Sequence, residues 1–160
     1  MIIYVLDKNK EPLMPCRPAV ARILLKCGKA KVVCRTPFTI KLNYVPGDRN
    51  VHKLTLGIDT GSSHIGSSVV DTNGKVLYMS EITIRNDITE KMDRRRAYRR
   101  TRRNRKTRYR KSRWLNRGNS TKTDRLSPTV RSKLDTHLRE IRFVKKLLPV
   151  SSIIIEGGQF

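Results

Sequence analysis

Alternation of apolar and polar residues in the middle of the chain predicts a β-meander. Every second residue of the stretch 53–58 is apolar, which is typical of a half-buried strand. The stretch 67–71 (SSVVD) predicts a second strand, and the stretch 75–84 (KVLYMSEITI) predicts a third. Between these two strands lies Asn73-Gly74, a pair that strongly favours a two-residue hairpin turn. We therefore expect three consecutive antiparallel strands.

A spacing of three and four residues between apolar positions predicts a long amphipathic helix nearer the end of the chain. Ser127 suits the N-cap of this helix, Pro128 its first helical position, and Pro149 its end. The residues expected to face the core are Val130, Leu134, Leu138, Ile141, Val144 and Leu148. The apolar run Ile153–Ile155 then predicts a strand that is buried on both faces.

The first 48 residues predict a small α+β domain. Ile2–Leu6 predicts a strand, and the sequences KVVCR and FTIKLNY further on predict two more. A helix is expected to begin near Pro18 and to stop at Gly28. The residues expected on its core-facing side are Val20, Ile23 and Leu24.

The predicted elements follow the order that opens an RNase H-like sheet. Three strands are followed by an arginine-rich helix, an amphipathic helix and a strand, and such a crossover makes the last strand parallel to the first. The expected fold class is α/β, with an incomplete RNase H-like mixed sheet, an inserted arginine-rich helix and a small α+β domain in front. The expected segments are 1–48 for that domain, 49–90 for the meander, 91–118 for the arginine-rich helix and 119–160 for the crossover helix and last strand.

A strong positive charge indicates a polyanionic partner. The chain has 36 Lys and Arg residues against 13 Asp and Glu residues, a net charge of +23. The stretch Arg94–Arg113 contains 11 Arg and 2 Lys residues and no acidic residue. Neutralising phosphates releases counterions and drives nucleic-acid binding, and the guanidinium group can bind phosphate in a bidentate manner. The stretch has no apolar stripe, which argues against a membrane-surface helix.

The arginine-rich stretch therefore supplies the candidate nucleic-acid-binding residues. They are Arg94, Arg95, Arg96, Arg99, Arg100, Arg102, Arg103, Arg105, Lys106, Arg108, Arg110 and Arg113. Tyr98 and Tyr109 are eleven residues apart, close to three helical turns, so they would share a helix face. Both stacking on unpaired bases and ordinary packing remain open for these two tyrosines.

The segment LGIDTGSS allows three chemical interpretations of Asp59. An aspartic protease would be an all-β chain, and an actin-like ATPase would need a second lobe that 160 residues do not hold. A nuclease of RNase H type has an aspartate that ends the first strand and binds Mg²⁺. Glu156 ends a neighbouring strand, so both carboxylates would open on one edge of the sheet. The nuclease hypothesis accounts for Asp59, Glu156 and the arginines together.

Asp59 and Glu156 are thus the candidate catalytic and metal-binding residues. Carboxylate oxygens suit Mg²⁺, and two such ions about 3.5–4 Å apart stabilise the attacking and leaving oxygens of phosphodiester cleavage. Such sites generally use three or four acids, and the sequence predicts two in position. Asp71 is expected on the far side of the second strand, and Glu81 is interpreted as a surface strand residue. A structural role in a turn or a cap remains the alternative for the two candidates.

The cysteines and the lack of a targeting signal favour a cytoplasmic protein. Cys16, Cys27 and Cys34 match no zinc-binding spacing and are expected to be reduced. The apolar run at the N-terminus is too short for a signal peptide, and no stretch approaches the length of a membrane span. We therefore expect no membrane partner.

Six motifs, taken in their order along the chain, resemble the N-terminal half of a known family. They are EPLMP (11–15), RILLKCGKAKVV (22–33), PFTIKL (37–42), LGIDTGSSHIG (56–66), RNDITEKMDRRRAYRRTRR (85–103) and LPVSSIIIEGGQF (148–160). The family they resemble is IscB, a group of transposon-associated, RNA-guided nucleases. The resemblance covers nearly the whole chain, and Pro-Leu-Met-Pro combined with the Arg-Arg-x-x-Arg-Arg block is its most specific part.

The resemblance implies a function for each segment. Asp59 would be the first RuvC carboxylate and Glu156 the second, with Mg²⁺ as cofactor. The arginine-rich stretch would be the bridge helix that binds guide RNA and the RNA–DNA heteroduplex formed with target DNA. An HNH nuclease domain and a third RuvC segment usually follow in the family. A natural remnant, one piece of a split gene whose second chain carries these segments, and an excised portion of a longer protein all remain open. We expect this chain alone not to cleave DNA.

Two functional classes remain open from the sequence. The first is the N-terminal portion of an RNA-guided endonuclease, and the second is a non-catalytic RNA-binding protein derived from such a nuclease. For both, the resemblance implies a prokaryotic cytoplasm, with the protein at the nucleoid when it is bound to DNA.

Overall fold

The computed structural model describes residues 2–48, 51–105 and 126–157, and within these ranges the fold is α/β. They form three helices and two four-stranded mixed sheets. The strands are β1 (Ile3–Leu6), β2 (Pro12–Cys16), β3 (Ala30–Cys34), β4 (Thr39–Leu42), β5 (Leu54–Thr60), β6 (His64–Asp71), β7 (Val76–Thr83) and β8 (Val150–Glu156). The helices are α1 (Pro18–Lys26), α2 (Ile88–Asn104) and α3 (Pro128–Leu147).

The first sheet has the strand order β2-β1-β4-β3 and packs against α1. β1 is antiparallel to β2 and parallel to β4, and β4 is antiparallel to β3. The buried side chains of this core are Ile3, Val5, Leu13, Ala21, Ala30, Ile40 and Leu42. Removing these apolar side chains from water stabilises the first sheet and its helix together.

Helix α1 ends as predicted, but a different face of it is buried. Gly28 lies just beyond the helix with a φ of +68°, a conformation that glycine adopts at little cost. Ala21 is buried and Leu24 packs against the core, whereas Val20 and Ile23 are exposed, Ile23 to 62%. The prediction that Val20 and Ile23 face the core is therefore wrong, because the small Ala21 occupies the contact with the sheet and turns them towards solvent.

Strand β2 is an element that the sequence pattern does not predict. It contains Pro12 and Pro15, and proline argues against a strand because it has no N–H to donate to a neighbour. β2 lies at the edge of the first sheet, where one side of the strand needs no ladder hydrogen bonds. The edge position explains how a proline-containing strand is accommodated.

The second sheet has the strand order β7-β6-β5-β8. β5, β6 and β7 form the predicted antiparallel meander, and Asn73-Gly74 lies in the turn between β6 and β7. β8 is parallel to β5, which confirms the predicted crossover. The most deeply buried apolar side chains of this sheet and of the segment that crosses over it are Leu54, Leu56, Ile58, Ile65, Val69, Val144 and Leu148.

Helix α3 begins as predicted, but its first half is exposed. Ser127 caps it, since its Oγ accepts a hydrogen bond of 3.4 Å from the backbone N–H of Val130. Val144 is fully buried, whereas Val130, Leu134 and Leu138 are exposed. An apolar stripe indicates a face suited to burial, but the neighbouring elements decide how much of it is covered. The prediction of a stripe that faces the core throughout is therefore wrong for the first half of the helix.

Strand β8 lies at the edge of the second sheet. Ile154 and Ile155 are 64% and 56% exposed. The prediction that Ile153–Ile155 is buried on both faces is wrong. Ile154 lines an open groove on one face of the sheet, and in the described part of the chain β8 has a neighbouring strand on one side only, which leaves Ile155 partly uncovered.

The chain divides into two compact units. The first contains residues Met1–Thr83 and His137–Phe160, and the second contains Ile84–Thr136. Within the first unit, the rings of Tyr4 and Tyr78 meet edge to face at 6.5 Å, and the Tyr4 hydroxyl donates a hydrogen bond of 3.2 Å to the backbone oxygen of Leu77. These contacts join the first sheet to the second. None of the helices in the described ranges is both long enough and apolar enough to cross a membrane.

Candidate active site and basic helix

Asp59 and Glu156 lie side by side near the carboxyl ends of two parallel strands. Asp59 of β5 pairs in register with Glu156 of β8, so their Cα atoms are about 4.8 Å apart. Residues paired in this way project from the same face of a sheet. Both residues are exposed, and Thr60 Oγ1 donates a hydrogen bond of 2.7 Å to the backbone oxygen of Glu156. The structure thus brings the two candidate carboxylates together.

The same row of the sheet contains a third carboxylate. Asp59 pairs with Gly66 of β6, and Gly66 pairs with Glu81 of β7. Glu81 is exposed, as expected of a surface strand residue, and lies two strands from Asp59, a Cα separation of about 10 Å. That Glu81 shares a row with Asp59 and Glu156 was not predicted from the sequence.

The exposed face of the second sheet carries a groove of about 800 Å³. Small residues, among them Gly57, Gly66 and Ser68, line it in the middle, and the larger side chains of Met79 and Ile154 line its sides. A Cβ atom at Gly66 would lie 3.5 Å from the Cβ of Asp59. Glycine at this position therefore leaves the Asp59 carboxylate open to the groove.

Gly61 is required by the turn that follows Asp59. A Cβ atom built on Gly61 would clash with the backbone oxygen of His64, and backbone atoms cannot move aside as the end of a flexible side chain can. The tight turn between β5 and β6 thus explains the glycine in the LGIDTGSS segment. It also fixes the end of β5, where Asp59 is placed.

Gly61→Ala is expected to lower the free energy of unfolding by about 1–3 kcal/mol, because the backbone must shift to admit a methyl group. Gly57→Ala is the matched control, since a Cβ atom there would meet Ser68 Oγ at 3.5 Å, an ordinary contact. Urea unfolding followed by circular dichroism measures both variants. Equal stability of the two would contradict the steric role of Gly61.

The paired carboxylates have the chemistry to hold one Mg²⁺ ion. Mg²⁺ prefers oxygen ligands and commonly takes one or two carboxylates while keeping several water molecules. Asp59 and Glu156 would supply those two ligands. Across residues 2–48, 51–105 and 126–157, no three His, Cys, Asp or Glu side chains come close enough together to hold a metal ion. Further ligands for a two-metal site would have to come from another segment.

A buried carboxylate lies behind the groove, on the opposite face of the sheet. Glu140 of α3 is 5% exposed. Its Oε1 accepts hydrogen bonds from the hydroxyls of Ser67 at 2.7 Å, Ser80 at 2.7 Å and Tyr78 at 2.9 Å. These donors offset the high cost of burying a carboxylate. Glu140, Ser67, Tyr78 and Ser80 form a group that we call the Glu140 cluster. Ser67 follows Gly66 and Ser80 precedes Glu81 in the chain, so the Glu140 cluster joins α3 to the strands that form the groove.

Tyr78 keeps its proton over the usual pH range. Burial raises the pKa of Tyr78 to about 12, and Glu140 acts in the same direction. A protonated hydroxyl is what donation to Glu140 requires. A role for Glu140 was not predicted from the sequence, although this residue precedes Val144 by four positions and Leu147 by seven, the spacing of one helix face.

Helix α2 is exposed from Thr89 to Asn104, and Ile88 at its start is half-buried. None of its residues is buried, and Tyr98 is 68% exposed. Arg94 forms an ion pair of 2.6 Å with Glu90, and Arg96 lies 3.8 Å from Asp93. Exposed pairs of this kind contribute little to stability, so most of the positive charge of the helix is available to an external polyanion.

The start of α2 is held by an acidic residue. Asp87 pairs with Arg85 and, at 2.6 Å, with Lys91 one turn into the helix. Hydrogen bonding from Arg85 lowers the pKa of Asp87 to about 2, so its carboxylate stays charged at the positive end of the helix dipole.

Helix α2 is shorter than the predicted arginine-rich helix. It contains Arg94, Arg95, Arg96, Arg99, Arg100, Arg102 and Arg103. Arg105 has extended backbone angles of φ −68° and ψ 135°, so the predicted continuation of the helix through this residue is wrong. Asn104 is a weak helix former, and no apolar face supports the helix at this point. The remaining candidates Lys106, Arg108, Arg110 and Arg113, and also Tyr109, lie outside the described residues.

Comparison with protein families gives a match across nearly the whole chain. The model of a family described as RRXRR protein matches residues 3–160. The pattern in that description occurs within α2 as Arg-Arg-Thr-Arg-Arg at 99–103. Comparison with curated proteins gave no match.

Proposed function

This chain belongs to the RRXRR protein family, and we propose that it is the guide-RNA-binding N-terminal portion of an RNA-guided, Mg²⁺-dependent DNA endonuclease of RuvC type. The motifs that resemble the IscB family support the same assignment. The observation that carries the proposal is the in-register pairing of Asp59 with Glu156. A protein that only bound RNA would not need two exposed carboxylates side by side next to an open groove.

The order of the second sheet supports an RNase H-like fold of the RuvC kind. An antiparallel meander, a helical crossover and a parallel strand beside the first strand of the meander are its opening elements. In α/β sheets, ligands commonly bind outside the carboxyl ends of the strands, which is where Asp59 and Glu156 lie.

In the proposed nuclease, the residues of the groove bind and orient a DNA strand at the paired carboxylates. Bound Mg²⁺ would stabilise the charge that develops on the attacking and leaving oxygens of the phosphodiester. Asp59 and Glu156 would hold the ion, and Gly66 would leave room for a phosphate beside Asp59. The Glu140 cluster would keep the strands of the groove in place from behind. A further segment, in this or a second chain, would supply the remaining ligands.

Helix α2 would bind the guide RNA and its heteroduplex with the target DNA. Its arginines are exposed and offer planar, bidentate donors to phosphate oxygens. A helix of 17 residues is about 25 Å long, which is enough to contact several phosphates along a backbone. The basic helix therefore supplies binding, while the paired carboxylates supply the chemistry.

A second candidate function is RNA binding without catalysis. The observation that favours it is that, in the part of the chain that the structure describes, Asp59 and Glu156 are not joined by a third ligand. The two functions share the basic helix and differ in whether Asp59 and Glu156 take part in strand cleavage.

The proposed function predicts tight RNA binding with a steep dependence on salt. With roughly 6–10 phosphate contacts, the affinity should fall by about 10³–10⁵ between 50 and 200 mM salt. Fluorescence anisotropy with a labelled guide-like RNA over that range measures the slope. A weak interaction whose affinity hardly changes with salt would rule out the basic helix as the RNA-binding element.

A further inference from the structure

Gly66 leaves a gap among the side chains on the groove face of the second sheet. Residues two apart on a strand share a face, and so do residues paired across strands, so four side chains surround the position of Gly66. They are Asp59 and Glu81 on the neighbouring strands and His64 and Ser68 on β6 itself. Glycine inside a strand often marks a place where a ligand approaches closely. The space above Gly66 is therefore a candidate ligand position.

The carboxylate of Asp59 is directed towards this gap. A Cβ atom built on Gly66 would lie 3.9 Å from Oδ2 of Asp59. The hydroxyl of Ser68 leans towards β5, since a Cβ atom built on Gly57 would meet its Oγ at 3.5 Å. His64 is then the hydrogen-bond donor that borders the gap along β6.

His64 is held in place by the turn between β5 and β6. It is the first residue of β6, and it lines the groove. Gly61 packs so closely against the backbone oxygen of His64 that a side chain would not fit between them. His64 lies one strand across from Asp59 and two residues further along, so their Cα atoms are about 8 Å apart. This separation leaves room for one phosphate group between the two side chains.

The charges of the groove require a donor at this place. A phosphodiester in the groove would meet the carboxylates of Asp59, Glu81 and Glu156, which repel it unless cations or donors intervene. Among the groove residues in the described ranges, His64 is the one whose side chain can carry a positive charge. The imidazole has an N–H donor in its neutral form and two in its charged form, so it can donate to a phosphate oxygen in either form.

We infer that His64 is a phosphate-binding residue of the groove, and that its imidazole N–H donates a hydrogen bond to a non-bridging oxygen of the phosphodiester beside Asp59. This inference rests on the proposed function and adds a substrate-binding residue to it. A donor that is fixed in place beside an oxygen on which negative charge develops stabilises the transition state of cleavage. His64 therefore acts on the phosphate itself, while Asp59 and Glu156 are the candidate metal ligands.

The contact is tested first by NMR on the complete 160-residue chain. The chain has three histidines, and the variants His64→Gln and His52→Gln assign their imidazole signals. The probe is dithymidine monophosphate, a dinucleotide with a single phosphodiester, added with Mg²⁺, and thymidine is the matched ligand without a phosphate. We expect the dinucleotide to shift the ring signals of His64 and to leave those of His52, an exposed residue that precedes β5, unchanged. Asp59→Ala should weaken the shift, and thymidine should cause none.

The effect on catalysis is tested by nicking of supercoiled plasmid in a protein that contains all segments of the nuclease. His64→Phe keeps an aromatic ring but removes the N–H donor, and His64→Gln keeps a donor. We expect His64→Phe to lower the single-turnover rate of nicking by about 100-fold, as the loss of one transition-state donor does in other enzymes. His64→Gln should restore most of that rate, and His52→Phe is the control that should keep the full rate.

The outcomes separate this inference from the proposed function. Unshifted His64 signals, or equal shifts from thymidine, would overturn the phosphate contact. Nicking that is lost in Asp59→Ala but unchanged in His64→Phe would overturn the role of His64 in cleavage and leave the proposed nuclease in place. Shifted His64 signals without any nicking that depends on Asp59 would overturn the nuclease and leave His64 as part of a phosphate-binding groove.

Discussion

Replacing Arg99, Arg100, Arg102 and Arg103 with alanine is expected to lower the affinity of the chain for RNA by about a thousandfold at 0.1 M salt. Each phosphate contact contributes roughly 0.7–0.9 to the salt slope, so four lost contacts reduce the slope by about 3. This electrostatic contribution to the affinity vanishes at about 1 M salt. Because 0.1 M salt is one decade lower, a slope that is smaller by about 3 lowers the affinity at 0.1 M by about three orders of magnitude. Filter binding or anisotropy with a labelled RNA measures the loss.

A control variant of equal charge separates a local contact from general attraction. Arg22, Lys26, Lys29 and Lys31 are exposed residues of α1, β3 and the turn between them. Replacing these four with alanine removes the same charge from a different part of the chain. We expect an affinity loss of less than tenfold in this control. Equal losses in the two quadruple variants would show that RNA is attracted by net charge and not held by α2.

Asp59→Ala and Glu156→Ala are each expected to abolish RuvC-type strand cleavage, by about 10³-fold or more, in a protein that contains all segments of the nuclease. The carboxylates would act only on the metal and the reacting phosphate, and such interactions affect the transition state more than substrate binding. RNA affinity should stay within about twofold of the wild type, since phosphate binding comes from arginines. Nicking of supercoiled plasmid measures cleavage, and anisotropy measures RNA binding.

Glu81→Gln is the informative control for these two variants. Glu81 has the same type of side chain and lines the same groove, but it is two strands away from Asp59. We expect its effect on cleavage to be less than tenfold. Full cleavage by Asp59→Ala or Glu156→Ala would assign those residues to structural roles and would favour RNA binding without catalysis.

The row that contains the candidate site could be derived only in part from the sequence. A two-residue turn at Asn73-Gly74 would place Thr72 opposite Lys75 and, counted back along both strands, Gly66 opposite Glu81. In the structure the turn is one residue longer, with the Asp71 N–H donating to the Lys75 oxygen at 3.0 Å, and a register shift between Val69 and Val70 restores the pairing of Gly66 with Glu81. The pairing of Asp59 with Gly66 could not be counted in the same way. The turn that joins β5 to β6 is longer, and its close Gly61–His64 approach carries no recognisable sequence signal.

Burial was less predictable than secondary structure, and α3 shows why. Its apolar periodicity identified a helix and its N-cap, but Val130 and Leu134 are exposed while Glu140 is buried. Periodicity reports which side chains prefer burial. Which side chains are buried depends on where a helix contacts its sheet. A carboxylate can be buried at that contact only if hydrogen-bond donors from distant strands reach it. Ser67 and Ser80 provide those donors from 73 and 60 residues away in the sequence.

The Glu140 cluster also discriminates against misfolded alternatives of the second sheet. If β7 slipped by one residue against β6, every side chain of β7 would move to the other face. Met79 and Glu81 would then point at Glu140 in place of Tyr78 and Ser80. Two hydroxyl donors would be lost, and a second carboxylate would be driven towards a buried one, at a cost of several kcal/mol. A single glutamate on α3 would in this way destabilise the slipped sheet relative to the native one.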